Sequence, residues 1–247
     1  MEYTTSEPRI GDAFGRTLQR CWAAGAAPGA AWEITERDDG YISAADATRY
    51  FTPADELSEL DQRAVALAQG RILDVGTGAG RHALALQQQG KDVLGLDPSP
   101  GAVEVARQRG VAAELGSIAH PPEGIGPVDT FLLLGNNLGL LQGERAAPEV
   151  LRQLASLARP GALLLGTGMD PAGSDTEHTA YQDRNRARGR MPGQIRMRVR
   201  AGTLATEWFD YLLLDPHELE RLIGPSPWRW ETIHEQGPKY LAVLRLG

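Results

Sequence analysis

Through the middle of the chain, short apolar runs alternate with stretches of helical periodicity. "RILDV" precedes "RHALALQQQ", "DVLGL" precedes "PGAVEVARQR", "VAAEL" leads into a Pro/Gly-rich loop, "VDTFLLL" precedes "ERAAPEVLRQLASLA", and "ALLLGT" ends the series at Thr167. Such alternation predicts right-handed βαβ units and a parallel sheet. Up to about Gly70 the pattern is polar and helical instead. "DAFGRTLQRCWAAG", "SAADATRYF" and "PADELSELDQRAVALAQ" read as helices, with starts at Ser43, Thr52 and Pro53, and nothing alternates like a long strand. Residues 1–70 are therefore expected to form a helical cap. Beyond Met169 come a polar helical stretch, strand-like "QIRMRVR" and "ATEWFDYLLL", a helix "PHELERLI", and closing strands "WRWETIHE" and "YLAVLRL". This makes residues 71–247 one core carrying a β-hairpin insertion at about 190–214. No internal repeat points to a solenoid or propeller.

A length of 247 residues suits one α/β domain with insertions or two small domains. The formal net charge of −7 argues against nucleic acid as a partner, because phosphate binding draws on clustered Lys and Arg. No apolar run approaches the roughly 18 residues of a membrane span. The opening "MEYTTSEPRIGDAFGR" is acidic and lacks the apolar segment of a signal peptide, so a cytoplasmic protein without a membrane partner is expected. Cys21 is the only cysteine, which excludes an intramolecular disulfide; beside Trp22 it reads as a packed thiol. His82, His120, His178, His217 and His234 lack the helical spacing of a zinc site, and no metal is expected.

The chemistry concentrates after the first strand, where "ILDVGTGAGR" places glycines at Gly76, Gly78 and Gly80 ahead of a helix. Bare backbone at a helix N-terminus lets a ligand approach closely. A dinucleotide fingerprint requires a third glycine at position 81, where this chain has Arg81, and no Gly-Lys-Ser/Thr follows to make a phosphate loop. Asp74, just before the first glycine, would repel a pyrophosphate and welcome an ammonium group. Asp97 ends the next strand, where a carboxylate can take two hydrogen bonds from ribose hydroxyls. Together the two carboxylates describe a ligand with a ribose and an ammonium and no phosphate, which S-adenosylmethionine fits.

The segments "LDVGTGAG" and "GLDPSP", with "GSI", "VDTFLLLGNNLG" and "LARPGALLLGT" in order behind them, resemble the class I S-adenosylmethionine-dependent methyltransferases over roughly residues 70–167. The closing helix and strand pair resemble the same family's C-terminal end. The resemblance implies an α/β, Rossmann-like, seven-stranded, mostly parallel sheet with an antiparallel last strand, a helical N-terminal cap and an inserted β-hairpin. It implies S-adenosyl-L-methionine as cofactor, held by Asp74, Gly76, Thr77, Gly78, Gly80 and His82, by Asp97, Pro98 and Ser99, by Ser117 and Ile118, by Gly135 and Asn136, and by Tyr50 of a lid. Ser117 stands where the family often carries an acid for the adenine amino group. Homodimers are common in the family, although nothing in the sequence specifies an interface. The sequence lacks the Asn/Asp-Pro-Pro-Tyr loop of nucleic-acid adenine methyltransferases, and a small-molecule acceptor is expected. An NAD(P)-dependent oxidoreductase and a non-catalytic S-adenosylmethionine-binding protein are the rival readings.

For the reacting end, Asn137 lies beside Asn136 after the fourth strand, and both also suit a turn or helix cap. His178 and Tyr181 are the candidate general bases, with surface or packing roles as their alternative. In "QIRMRVR", Ile195, Met197 and Val199 alternate with Arg196, Arg198 and Arg200, which puts guanidinium groups along one strand face. That face is either a solvated edge strand paired with nearby acids or a lid that recognises an acceptor's carboxylate or phosphate. Trp208, Phe209 and Tyr211 on the following run belong near the acceptor pocket or in the hairpin core.

Overall fold

The computed structural model describes residues 7–172 and 176–247; the first six residues of the acidic N-terminal stretch lie outside the described part. The chain opens with β1 (Arg9–Ile10), α1 (Ala13–Ala23), β2 (Trp32–Arg37), β3 (Ile42–Asp46), short helical turns at Ala47–Phe51 and Ala54–Glu56, and α2 (Glu59–Leu67). Next come β4 (Arg71–Val75), α3 (Arg81–Gln88), β5 (Asp92–Asp97), α4 (Pro100–Gln108), β6 (Ala113–Leu115), β7 (Val128–Leu133), a turn at Asn137–Leu141, α5 (Ala147–Ser156) and β8 (Ala158–Met169). The remainder is α6 (Thr176–Ala187), β9 (Gln194–Ala201), β10 (Leu204–Ala205), β11 (Phe209–Leu212), α7 (Pro216–Ile223), β12 (Trp228–Gln236) and β13 (Lys239–Leu246).

Seven strands form the main sheet in the order β12-β13-β8-β7-β4-β5-β6. Only β13 runs against its neighbours, pairing antiparallel with both β8 and β12. Alternation along β4 sends Leu73 and Val75 to one face and Ile72 to the other. The first face packs on Leu151 and Leu154 of α5 and Leu219 and Leu222 of α7. The second packs on Leu60 of α2, Leu86 of α3 and Val103 of α4. Covering both faces explains why strands such as "TFLLL" read as continuous apolar runs.

The N-terminal part is not wholly helical, which corrects the expectation for "SAADATRYF" and for the segment before it. β2 and β3 are strands, Ser43 lies inside β3, and α2 is capped by Ser58, not started from Thr52 or Pro53. These strands join the insertion in a second, six-stranded sheet of order β1-β10-β9-β2-β3, with β11 also paired to β9. Their pattern is inverted for a half-buried strand: Glu33 and Arg37 of β2 are buried while Trp32 and Ile42 are exposed. Hydrophobic periodicity therefore carried no strand signal there. The hairpin is present, but β9 is an interior strand rather than an edge. Arg198 is buried and pairs with both oxygens of Glu36, at 2.8 and 3.2 Å, while its guanidinium lies 4.5 Å over Trp208. Arg200 reaches the same carboxylate at 3.2 Å, and Arg196 is exposed. These guanidiniums hold Glu36 below the ordinary carboxylate range, with the Arg198 hydrogen bond the largest cause.

One residue clamps the cap to the main sheet. Asp12 caps α1 by accepting from Gly15 N–H at 2.8 Å, and it also accepts from Ser99 Oγ at 2.7 Å and Gly101 N–H at 2.8 Å at the start of α4. A single carboxylate thus answers donors at two helix N-termini. The helices touch through bare backbone: a Cβ on Gly15 would lie 2.7 Å from the Gly101 Cα. Cys21, on the buried side of α1, is fully covered, and burial raises its thiol pKa. Gly15→Ala is expected to destabilise the protein by about 1–3 kcal/mol in denaturant melts, the usual cost of overpacking. Gly224→Ala, whose Cβ would meet nothing closer than 3.5 Å, is expected to stay near wild type.

Candidate active site

The glycine loop lies at the carboxyl end of β4, where open α/β sheets bind ligands. Gly76, Gly78 and Gly80 have φ of 71°, 56° and 77°, values that side chains rarely tolerate. The loop hangs on the end of β5: Gly76 N–H and Thr77 N–H donate to the Leu96 carbonyl at 2.8 and 3.2 Å. Gly78 N–H donates to Asp97 Oδ2 at 2.8 Å, and Ser99 N–H donates to Asp97 Oδ1 at 2.9 Å. Each Asp97 oxygen thereby keeps a lone pair for another donor. Asp97 is buried, and its carboxyl is pushed up to about 6, mainly by desolvation and further by the charges of Asp12 and Asp74, against the two backbone hydrogen bonds. Pro98 beside it is exposed, and Ser99 caps α4.

Asp74 is buried and accepts from Thr77 Oγ1 at 2.6 Å. Desolvation raises its pKa, opposed by His82, Thr77 and Arg81. His82 is also buried and approaches Asp61 at 3.6 Å. Burial works against the charge on Asp61, but His82 and Arg81 hold its pKa low. Gly135 stands at the same corner: a Cβ there would lie 3.1 Å from an Arg81 amino group. Across the loop, Ser117 Oγ accepts from His120 N–H at 3.2 Å, and Ile118 is buried in the core.

After β7 the chain turns at Asn136, whose φ is 72°. Asn137 Nδ2 donates to the carbonyls of Val75 and Gly76 at 2.9 and 3.2 Å, so this side chain fastens the β7 turn to the glycine loop. Asn136 Oδ1 is buried without a hydrogen-bond partner among the described residues. From the insertion, the Tyr211 hydroxyl donates to the Asn136 carbonyl at 2.6 Å and lies 3.4 Å from Asn137 Oδ1. Burial, with Glu33 nearby, drives the Tyr211 pKa upward.

The cap approaches from the other side. A Cβ on Gly78 would meet the Tyr50 ring at 3.5 Å and the Phe14 ring at 3.9 Å, and the two rings meet edge to face at 5.2 Å. The Tyr50 hydroxyl donates to Glu33 Oε2 at 2.9 Å, and Arg49 pairs with the same carboxylate.

Of the residues expected from sequence, Tyr50, Asp74, Gly76, Thr77, Gly78, Gly80, Asp97, Ser99, Asn136 and Asn137 fall in this one cluster, with His82 and Gly135 at its edge. His178 and Tyr181 do not join it through any described contact. Tyr181 is buried in α6, donates to Asp38 Oδ1 at 2.7 Å, accepts from Arg196 N–H at 3.1 Å, and packs under Arg37 and Arg184. His178 meets the Tyr41 ring at 5.0 Å. Both lie where α6 packs on the second sheet. Asp12, Glu33 and Arg49 are additional participants. Asp12 was not singled out from sequence, although an aspartate directly before "AFGRTL" is the local signal that could have found it; Glu33 and Arg49 carried no local signal.

The parallel sheet with one reversed strand, and a glycine loop facing a carboxylate at the end of the adjacent strand, define a nucleoside-binding α/β enzyme. Residues 72–161 match the methyltransferase domain family. A solved S-adenosylmethionine-dependent methyltransferase from Bacteroides fragilis, in complex with S-adenosyl-L-homocysteine, is 26% identical, with a TM-score of 0.80 over 95% of this chain and 94% of that one. The CcbJ methyltransferase from Streptomyces caelestis shares the fold at 19% identity and a TM-score of 0.58, over 79% of this chain and 99% of its own. CalS10 from Micromonospora echinaspora does so at 16% identity and 0.52, over 81% and 95%. Among curated protein sequences no relative matches. Residues 72–161 therefore carry a methyltransferase domain, and the enzyme is an S-adenosylmethionine-dependent methyltransferase with S-adenosylmethionine as its cofactor.

The raised carboxyl of Asp97 sets a stability signature for the cofactor-free protein. Between the unfolded pKa of about 4 and the folded value of about 6, the native state binds more protons than the unfolded state. Asp97 therefore favours the fold at low pH, and that contribution is lost as pH rises through 6. Asp97→Asn should gain stability relative to wild type by roughly 1 kcal/mol on going from pH 5 to pH 7.5, measured by paired denaturant melts. A difference that stays flat with pH would assign Asp97 an ordinary pKa.

Proposed function

We propose that the protein transfers the methyl group of S-adenosylmethionine to a small-molecule acceptor held between the cap sheet and the carboxyl ends of β4 and β7, and that it does so in the cytoplasm. The observation that carries this reading is the convergence of three parts of the chain on one spot: Tyr50 from the cap, Tyr211 from the insertion, and Asn136 and Asn137 from the main sheet. A site walled in this way suits a small molecule better than a polymer, and the net charge of −7 does not favour nucleic acid. Natural-product enzymes with the same fold, an amino pentose methyltransferase and a glycopeptide N-methyltransferase, are consistent with this acceptor class.

The residues present fit the cofactor. Asp97 has lone pairs to spare for ribose hydroxyls, Gly76 of the loop is only partly covered, and Asn136 Oδ1 finds no donor among the described residues. Asp74 and the loop would face the ammonium end, Ser117 and Ile118 the adenine. When bound, S-adenosylmethionine supplies an electrophilic methyl on a positively charged sulfur. The chain's task is then to align the acceptor in line with that bond and keep water out. Asn137, fixed to the loop, and Tyr211, fixed to Asn136, are the residues assigned to the reacting end. Tyr181 is not, because its hydroxyl is engaged by Asp38 and Arg196.

Calorimetric titration with S-adenosylhomocysteine should give saturable binding, and NAD should give none. Asp97→Ala should weaken the thioether's binding by about 1.5–3 kcal/mol, the scale of a lost charge-assisted hydrogen bond. An unchanged dissociation constant would remove Asp97 from the ribose.

A further inference from the structure

Glu33 is a buried carboxylate that neither the packing of its sheet nor the roles assigned above account for. It lies on β2 with 6% of its surface exposed. Its acceptor oxygen takes the Tyr50 hydroxyl at 2.9 Å, and Arg49 pairs with it. The Tyr50 ring in turn lies on Gly78, whose N–H is held by Asp97 at 2.8 Å. A continuous line of contacts thus runs from a carboxylate in the cap sheet, through a tyrosine and a glycine, to the carboxylate at the end of β5. Arg49 adds a parallel route, since its carbonyl accepts from Arg81 Nη1 at 2.9 Å just after the loop. A tyrosine ring has two torsions, and anchoring its far end to a charged acceptor fixes the ring face.

We propose that Glu33 is a positioning residue for the cofactor: through the Tyr50 hydroxyl it holds the ring against the glycine loop, so that nucleoside affinity depends on a carboxylate carried by the cap sheet. This inference rests on the reading that the cofactor lies on the loop beside Asp97. Glu33 acts without touching the reacting atoms. Because β2 is also zipped to β9, from Ile34 opposite Arg200 to Arg37 opposite Met197, the anchor is part of the sheet that carries Tyr211.

The test is S-adenosylhomocysteine titration of wild type, Glu33→Ala, Glu33→Gln, Tyr50→Phe and the double variant Glu33→Ala/Tyr50→Phe, with Asp97→Ala alongside. Glu33→Ala and Tyr50→Phe should each raise the dissociation constant about tenfold, and the double variant should be no weaker than either single one, because both remove the same link. Glu33→Gln, which can still accept from the hydroxyl, should recover most of the affinity. Thermal melts should stay close to wild type, since the Arg49 side chain is 51% exposed and can be hydrated when its partner is removed. Wild-type affinity in Tyr50→Phe or Glu33→Ala, or effects of the two that multiply in the double variant, would overturn the proposal. If Asp97→Ala alone weakens binding, only the role of Glu33 falls; if Asp97→Ala is also unchanged, the placement of the cofactor falls with it.

Discussion

The structure depends on keeping a loop of strained-handed backbone in place at the end of β4. Three glycines with positive φ turn the backbone away from helix and strand; the neighbouring strand supplies acceptors for the N–H groups of Gly76, Thr77 and Gly78, and Thr77 supplies the one for Gly80. The Leu96 carbonyl takes Gly76 and Thr77, and Asp97 takes Gly78. Without those bonds, buried donors would be left unpaired at a cost of a few kcal/mol. The same bonds set the course of the backbone at the end of β4, so what stabilises the fold also shapes the site. Asp97 stands at the meeting point: it accepts the loop's Gly78 N–H, yet burial and the nearby Asp12 and Asp74 resist its charge. A functional site held at some cost in stability is the expected outcome.

Around this loop the protein builds a roof from distant segments. Asp12 fixes α1 to α4, Glu33 and Arg49 connect the cap sheet to Tyr50, and Tyr211 bridges the insertion to Asn136. These links are polar, whereas the main sheet is held by two apolar layers. The arginine face of β9 belongs to this second kind of construction. Glu36 is shared by Arg198 and Arg200 within the sheet, so these two of the three guanidiniums tie β9 to β2.

The main sheet, its order of strands and helices, the glycine loop and the two strand-end acids were legible in the sequence because their signals are local. Apolar runs report burial on both faces, and glycine spacing reports backbone conformation. The second sheet was not legible, because β2 turns charged residues inward and leaves Trp32 and Ile42 outside. Such a pattern makes sense only when Arg198 and Glu36, far apart in sequence, come together. For the same reason Tyr181 read as a candidate base, since nothing near it in the chain announces Asp38 or the Arg196 N–H that occupy its hydroxyl. Sequence alone determined the main α/β sheet and pointed to a nucleoside ligand, through periodicity, backbone requirements and strand-end acids that neighbouring residues carry. Tertiary structure alone decided what roofs the site, because ion pairs and hydrogen bonds between Glu33, Arg49, Tyr50 and Tyr211 depend on where three separate segments fold, and no window of sequence contains them all.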